Sequence, residues 1–322
     1  MQALARIGST AAAFVAITVL VFVAFYAAPS QQTRRVPPHP ATARTAHAYF
    51  HYLGRMLHGD LGRSIYYREA VTSRILRAVP VTLSLLLGGL VIGLLFGLVP
   101  LLRPRARVDR ALELFALACL CVHPVWGSLV LSWLLGGHWH LLAPQGYCGI
   151  TSAATGCNGV QHWASHMLLP WIVVGLAAGA YFSLGVRMLV QAELDEDYVR
   201  AARARGVDER RIVRAHMLPR LAGPLLALCV ANLGFLFGAA VFVETIFGLP
   251  GLGSMFRRSL LQHDLPVTAG IVLLVTLTIL ALSAVADALT WLSLPRGRRA
   301  LRRAAAGPRR VQRELRHRPA EL

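Results

Sequence analysis

The residues of this chain best suited to chemistry are histidines in two closely spaced pairs. His138-x-His140 and His162-x₃-His166 have spacings at which two imidazoles could bind one metal ion, and imidazole is a ligand that suits nickel. Neither pair has a cysteine or an acidic residue beside it, which is the usual pattern of histidines on a solvated surface. The four histidines are therefore metal candidates, with a solvated surface as the simpler alternative.

The absence of lysine excludes several kinds of active site. All 33 basic residues are arginine. A P-loop needs a lysine on the phosphates, a kinase-like fold needs one on a strand, and pyridoxal phosphate chemistry needs one for a Schiff base. None of these sites can be built from this chain.

The composition indicates a protein that crosses a membrane several times. Of the 322 residues, 56% are hydrophobic and 15% charged, and the mean hydropathy is +0.54. A helix needs about 20 apolar residues to cross a bilayer. Six stretches are predicted to do so: 11–28, 79–102, 111–135, 167–191, 221–247 and 267–292. The first could also be a cleaved signal peptide, but the five further spans favour a retained helix.

The arginines predict how the spans are oriented. If the N-terminus is cytoplasmic, 22 of the 33 arginines fall in cytoplasmic segments and 10 in external ones. Seven of the 22 lie in 192–220 and ten in the tail from residue 296. The excess of arginine on the inside predicts that both termini are cytoplasmic. The first external loop holds eight arginines, which is tolerable because long loops translocate regardless of charge.

Five polar residues within the predicted spans are candidates for lining a pathway or gate: His123, Asn232, Glu244, Thr245 and Asp287. An ionised carboxylate is costly in hydrocarbon, so both acids should face protein or water. Glu244 could line an outer gate or anchor the turn at 248–253. Asp287 could be a structural partner of an arginine or a helix end, with a substrate ligand as the alternative. His123-Pro124 predicts a kink with a bonded histidine, and Asn232 predicts a hydrogen bond between helices.

Two patterns predict close contacts. Cys148 and Cys157 lie in an external loop that contains no arginine, where they could form a disulfide in an oxidising compartment or stay free thiols. Gly89, Gly93 and Gly97 recur at four-residue steps in the second span. Such a face of small residues packs closely, either inside the chain or against another subunit.

The segment 193–219 between the fourth and fifth spans is the most informative part of the sequence. Acidic residues at its start and arginines after them suit one short helix, with Gly206 just past its C-terminal end. Asp208 suits the N-cap of a second helix, which Pro219 would end. This elbow could lie on anionic lipid headgroups or dock a cytoplasmic partner.

The elbow also carries a resemblance to a known family. The spacing Ala201-Ala202-x₃-Gly206-x₁₁-Leu218-Pro219 resembles the "EAA" loop of permease subunits of bacterial ABC importers. The run D-Y-V-R-A-A-R-A-R-G that ends at Gly206 resembles the D-Y-V-R-T-A-R-A-K-G of the dipeptide/oligopeptide/nickel permeases. G-D-L-G-R-S at 59–64 and V-E-T-I-F-G-L-P-G-L-G at 243–253 also resemble that family, which places the likeness over about 50–295.

The resemblance implies an all-α polytopic membrane protein with six transmembrane helices and the ABC type I importer fold. It implies that the elbow couples to a separate ATPase, whose tight groove would require Ala201, Ala202 and Gly206 to be small. The residues that would form the coupling surface are Arg200, Ala201, Ala202, Arg203, Arg205, Gly206, Val207, Asp208, Arg210, Leu218 and Pro219. Arg200 departs from the general motif, which has glutamate there.

The resemblance also implies the partners of the chain in a bacterial plasma (inner) membrane. These are a second homologous permease, one or two ATPase subunits that bind the ATP and Mg²⁺, an extracytoplasmic solute-binding protein and membrane lipids. The chain itself is expected to bind no cofactor. Nucleic acid is not an expected partner, because the basic tail has no aromatic residue on which bases could stack.

These observations predict a transport subunit that is not itself an enzyme. Its parts would be a first span with an external loop (1–74), the transmembrane domain (75–294) and an arginine-rich tail (295–322). The expected substrates are di- or oligopeptides, and nickel or a metal chelate is the alternative. A membrane-embedded enzyme is a distant alternative, because the sequence has no H-E-x-x-H pair and no paired aspartates at membrane depth.

Overall fold

The computed structural model describes residues 58–99, 108–141, 145–149, 159–208 and 211–293, besides four single positions nearer the N-terminus. The first predicted span, at 11–28, and the tail at 295–322 lie almost wholly outside these ranges. The domain boundaries predicted there therefore stay predictions.

The described chain is built from helices. They are α1 (Val71–Gly97), α2 (Val108–Cys121), α3 (Pro124–Leu131), α4 (Val160–Leu194), α5 (Asp197–Ala204), α6 (Leu218–Phe247), α7 (Leu252–Leu261) and α8 (Leu265–Ser293). Two π-helical segments join them, Ser132–His138 after α3 and Ile212–Met217 before α6. Within the described ranges, extended pairing is limited to one isolated bridge between Arg63 and Ala70.

Four of the helices are long and apolar enough to cross a membrane. They are α1, α4, α6 with the π-helical segment before it, and α8. They contain most of the second, fourth, fifth and sixth predicted spans, which are thereby confirmed as apolar helices of sufficient length.

The third predicted span, at 111–135, is a helix broken at the predicted kink. Its two halves, α2 and α3, meet at an angle of 98°. Pro124 has no N–H to continue α2 and instead begins α3, where its fixed φ suits the first turn. The ring nitrogen Nδ1 of His123 accepts the N–H of Val125 at 3.3 Å and so caps α3. The predicted kink with a bonded histidine is confirmed, but it breaks the helix.

The glycine face of α1 packs inside the chain. A Cβ at Gly89 would lie 2.6 Å from Cγ1 of Val174, and a Cβ at Gly93 would lie 3.2 Å from the amide nitrogen of Gly179. The close contact of α1 with α4 therefore requires glycine at these steps. The helices run in the same direction, as expected of the second and fourth spans of one chain.

Three apolar clusters hold the helices together. The central one joins α1, α4 and α6 and includes Leu85, Val174, Leu236 and Val243. The second surrounds the elbow and includes Val186, Val199, Ile212, Met217 and Leu221. The third lies at the opposite end of the bundle, here called the far end, and includes Val71, Ile75, Leu252, Val267 and Ile271. The 30 residues of α6 connect the two ends over about 45 Å.

Candidate functional site

The elbow begins with α5, which ends as the sequence predicts. The N–H of Gly206 donates to the carbonyl of Arg203 at 2.9 Å, and the N–H of Val207 donates to that of Ala202 at 3.2 Å. With φ of +73° at Gly206, these bonds form a Schellman motif, a helix ending that favours glycine. The placement of Gly206 just past the helix is confirmed.

The second half of the elbow differs from the prediction at its end. The carbonyl of Asp208 accepts the N–H groups of Arg211 and Ile212 at 3.0 Å each, so a helical turn begins there as predicted. The helix does not stop at Pro219. It passes through the π-helical segment directly into α6, and Pro219 lies where the two meet, inside one continuous helix. Arg210 lies outside the described residues.

The predicted coupling residues divide into a buried and an exposed set. Ala202 is buried beside Val199 in the apolar cluster of the elbow, so its small size already follows from packing within the chain. The requirement for glycine at position 206 likewise follows from its positive φ. Of the three residues predicted to fit a partner's groove, Ala201 alone is exposed without an internal reason to be small. The other exposed members are Arg200, Arg205, Gly206, Asp208, Leu218 and Pro219, and Arg203 and Val207 are half-buried.

A surface groove of about 550 Å³ lies between α5 and the start of α6. It brings together five of the predicted residues, Ala201, Ala202, Arg205, Val207 and Pro219. Tyr198, Ala215, His216 and Arg220 complete its lining. The elbow thus offers a shallow surface of small side chains bordered by arginines.

Three residues clamp the elbow to the long helices on both sides. The hydroxyl of Tyr198 donates to Oε1 of Glu193 at 2.8 Å, which ties α5 to the end of α4. Arg220, in α6, lies 3.6 Å from the same oxygen, and its guanidinium stacks 3.9 Å from the centre of the Tyr198 ring. Burial and the bond to Glu193 raise the pKa of Tyr198, which keeps the hydroxyl a neutral donor.

The sequence alone does not reveal this clamp. Glu193 reads there as one of several acids at a helix start, and nothing in the spacing pairs it with Arg220. One signal in the sequence does point to a contact within the chain. Tyr198 lies in the resembling motif, and an aromatic side chain has no role in a helix that docks by charge alone.

At the far end, Glu244 is fully buried and holds three helices together. Its carboxylate accepts the hydroxyl of Thr82 in α1 at 2.6 Å and the N–H of Ser254 in α7 at 2.9 Å. Thr82 in turn accepts the N–H of Leu252 at 2.7 Å. Of the two roles left open for Glu244, these bonds are those of an anchor for the turn at 248–253.

A second buried carboxylate at the far end explains the motif at 59–64. The hydroxyl of Ser64 donates to Asp264, and the N–H of Ile65 donates to the same carboxylate at 3.2 Å. The segment before α1 is thereby attached to the start of α8. The sequence identified Ser64 as part of a motif but did not indicate its partner, which lies 200 positions away.

The remaining pathway candidates have structural partners where they are described. Nδ2 of Asn232 donates to the carbonyl of Ala178 at 3.0 Å, which is the predicted hydrogen bond between helices. Thr245 donates to the carbonyl of Val241 at 2.8 Å and accepts from Nε of Arg257 at 3.2 Å. Asp287 lies in α8, and its side chain is outside the described part.

Of the two cysteines of the candidate disulfide, the structure describes Cys148. Cys148 is buried and bonded in a disulfide. Its predicted partner, Cys157, lies outside the described residues, so the pairing stays a prediction. Of the other cysteines, Cys119, Cys121 and Cys229 are free thiols in or beside apolar helices.

The candidate metal histidines are not gathered into one site in the ranges that the structure describes. His138 stacks on Trp133 with the ring centres 5.7 Å apart, and Nδ1 of His166 lies 3.1 Å from the carbonyl oxygen of Gly146. Among the described residues, including His140 and His162, no three histidine, cysteine or acidic side chains are grouped so that they could hold a metal ion.

Apolar helices of membrane-spanning length, with a polar elbow between two of them, define a class of protein: a multi-pass membrane protein. Residues 89–299 match the family described as the inner membrane component of binding-protein-dependent transport systems, and the chain belongs to this family. It is a protein of the bacterial inner membrane with the ABC type I permease fold.

Its relatives are permeases of peptide transport systems. The chain is 30% identical to the Di/tripeptide transport system permease protein DppB of Pseudomonas aeruginosa, over 77% of this chain and 79% of the relative. It is 27% identical to the Dipeptide transport system permease protein DppB of Escherichia coli K12, over 91% and 97% of the two chains. A putative peptide transport system permease of Brucella abortus is 28% identical over 77% and 78%.

Proposed function

We propose that this chain is one permease subunit of an ATP-driven importer of di- or oligopeptides, and that the elbow docks a separate ATPase. The observation that carries the proposal is the groove beside Ala201, an exposed surface of small side chains bordered by arginines. Its arginines would favour an acidic surface on the partner and set the orientation of docking more than its strength. ATP and Mg²⁺ would bind to the ATPase and not to this chain.

The clamp would transmit motion of the docked elbow to the membrane-spanning helices. A displacement of α5 would be passed through Tyr198 and Glu193 to α4, and through Arg220 to α6. Because α6 reaches the Glu244 network, the motion would arrive at the far end as a rigid-body shift of packed helices. Two such subunits, this chain and a second homologous permease, would then open alternately to the two sides of the membrane.

The proposed orientation places the elbow in the cytoplasm and the far end outside. This follows the distribution of arginines, with both termini inside and the tail against anionic lipids. A solute-binding protein would deliver the substrate to the far end. Peptides are the proposed substrates because the relatives are named as dipeptide, di/tripeptide or peptide transport permeases.

The test is an uptake assay in cells that express the complete transporter with Ala201→Trp. An indole in the groove should obstruct docking and lower the uptake of labelled dipeptide at least about tenfold, which corresponds to roughly 1.4 kcal/mol of lost association. Ala204→Trp is the matched control, because Ala204 is exposed on the same helix but does not line the groove. Uptake by Ala201→Trp equal to that of the control would contradict docking, and uptake of Ni²⁺ in place of peptide would contradict the substrate.

A further inference from the structure

The broken span has one firmly packed half and one loosely packed half. In the half that follows Pro124, Leu131 and Leu135 pack against the central apolar cluster. In α2, Ala116 is the one fully buried side chain among residues 110–121, the part of the helix whose side chains are described. None of these described residues belongs to any of the three apolar clusters. Apolar burial fixes a helix in place, so α2 is held less firmly than α3.

The two halves meet at a junction that is attached to α6. The helices α2 and α3 form an angle of 98°, and Pro124 has no N–H with which to continue the hydrogen bonds of α2. The His123 ring caps α3 and lies edge-on to the ring of Phe242 in α6, with the ring centres 5.6 Å apart. Residues at the end of a helix commonly absorb the change of angle in a hinge. The junction can therefore act as a hinge whose position is set by α6.

One ion pair joins α2 to α4. Nη2 of Arg187 in α4 lies 3.1 Å from Oε2 of Glu113 in α2. Both residues fall within predicted spans, where ionisable side chains are costly and usually have a function. Both side chains are more than half buried, so separating them would leave two charges that water solvates poorly. The pair should therefore stay together when either helix moves.

The ion pair lies at the elbow end of the bundle. Phe115 of α2 lies edge-on to Phe96 near the end of α1, with the ring centres 5.5 Å apart. Arg187 precedes the end of α4 that the clamp holds, at Glu193, by six positions or about 9 Å of helix. Glu113 is ten positions, or about 15 Å, from the junction with α3. A displacement of this end of α4 would therefore act on α2 far from the hinge.

We propose that α2 is a movable arm of this subunit, hinged at His123-Pro124, and that Glu113 and Arg187 are the positioning residues that make the arm follow α4. The proposal rests on the proposed function, namely that a partner docked at the elbow displaces α4. In the proposed orientation α2 begins on the cytoplasmic side, so its swing would open or close that side of the pathway. The helix α3, packed on the central cluster, would stay in place.

The experiment measures the amount of peptide imported per ATP hydrolysed in proteoliposomes that contain the complete transporter. Glu113→Gln and Arg187→Gln each remove one charge of the pair. We expect each to lower this ratio about threefold, the effect of a lost, partly exposed ion pair, while ATP hydrolysis persists. The double variant with Glu113→Arg and Arg187→Glu exchanges the two charges and should restore most of the ratio.

Arg187→Lys separates the role of the charge from a loss of structure. Lysine keeps the positive charge and should lower the ratio less than glutamine does, although it lacks the planar fork of arginine. A purely structural role would instead lower the amount of transporter recovered in the liposomes and leave the peptide imported per ATP unchanged.

Arg77→Gln is the control. It breaks an ion pair with Glu69, 2.7 Å long, that lies at the far end and attaches α1 to the short segment before it, not to another span. It should leave the ratio unchanged.

The arm and its attachment are overturned if both glutamine variants keep the ratio of the unaltered transporter, or if the double variant does not restore it. A loss in Arg187→Lys equal to that in Arg187→Gln would overturn them as well. Each of these results would leave docking at the elbow and peptide transport intact. Absence of peptide uptake by the unaltered transporter would instead refute the proposed function.

Discussion

Two buried carboxyl groups, Glu244 and Asp264, hold the far end together through hydroxyl partners far away in the sequence. Thr82 is the partner of Glu244, 162 positions before it, and Ser64 is the partner of Asp264. Because each carboxylate accepts hydrogen bonds from other elements, it joins those elements to its own. The motif at 59–64 thus attaches the segment before α1 to the start of α8, and the motif at 243–253 attaches α6 to α1 and α7.

Thr82→Val tests this reading at the scale of one residue. Valine keeps the shape of threonine but removes the donor to Glu244 and the acceptor for the N–H of Leu252, which should cost about 1–3 kcal/mol of stability. We expect the midpoint of thermal unfolding, measured in detergent by loss of the monodisperse peak, to fall by several degrees.

Thr278→Val is the control for this prediction. The hydroxyl of Thr278 is exposed and bonds only to the carbonyl of Leu274 in its own helix. A midpoint that falls equally in both variants would show that the link between Thr82 and Glu244 does not stabilise the far end.

At the scale of elements, the elbow is attached to its neighbours on both sides. The Schellman ending of α5, the clamp and the continuous run into α6 attach the proposed docking surface to α4 and α6. Such an attachment is what transmission of motion requires, since a loosely tethered helix could bind a partner without moving anything.

Tyr198→Phe tests transmission and changes the groove, which Tyr198 helps to line, by a single hydroxyl. The substitution removes the hydroxyl bonded to Glu193 but keeps the ring on which Arg220 stacks. In proteoliposomes containing the complete transporter, ATP hydrolysis should persist while the amount of peptide imported per ATP falls. Tyr181→Phe is the matched control, because the Tyr181 ring stacks on Phe235 in the membrane-spanning part, away from the elbow. An unchanged ratio of peptide to ATP in Tyr198→Phe would show that the clamp does not transmit motion.

Local patterns in the sequence predicted the elements better than their junctions. Apolar runs predicted α1, α4, α6 and α8, because hydrophobic length is a local property. Pro124 and Pro219 show the difficulty at junctions. The helix is broken by 98° at Pro124, whereas it continues past Pro219, and the residue type alone does not distinguish the two cases. The partners of Glu193, Glu244 and Ser64 were not predictable, since each lies on another element.

At the scale of the whole molecule, the described chain has the proposed coupling surface at one end and a charged cavity at the other. The helix α6 joins them over about 45 Å. The close glycine contact of α1 with α4 makes the central layer stiff, which favours rigid-body motion over local bending. The distribution of arginine agrees with the same division, because the proposed orientation would put both the elbow and the tail segment on the cytoplasmic side.

The most direct test of the central claim is photo-cross-linking in intact cells from a reactive side chain introduced at position 201. The account predicts a larger product that contains a separate ATPase subunit. The same group at position 277, on the exposed apolar face of α8, should give no such product. If position 201 yields products with lipid but none with an ATPase, the elbow is a membrane-surface helix and the account of coupling is contradicted.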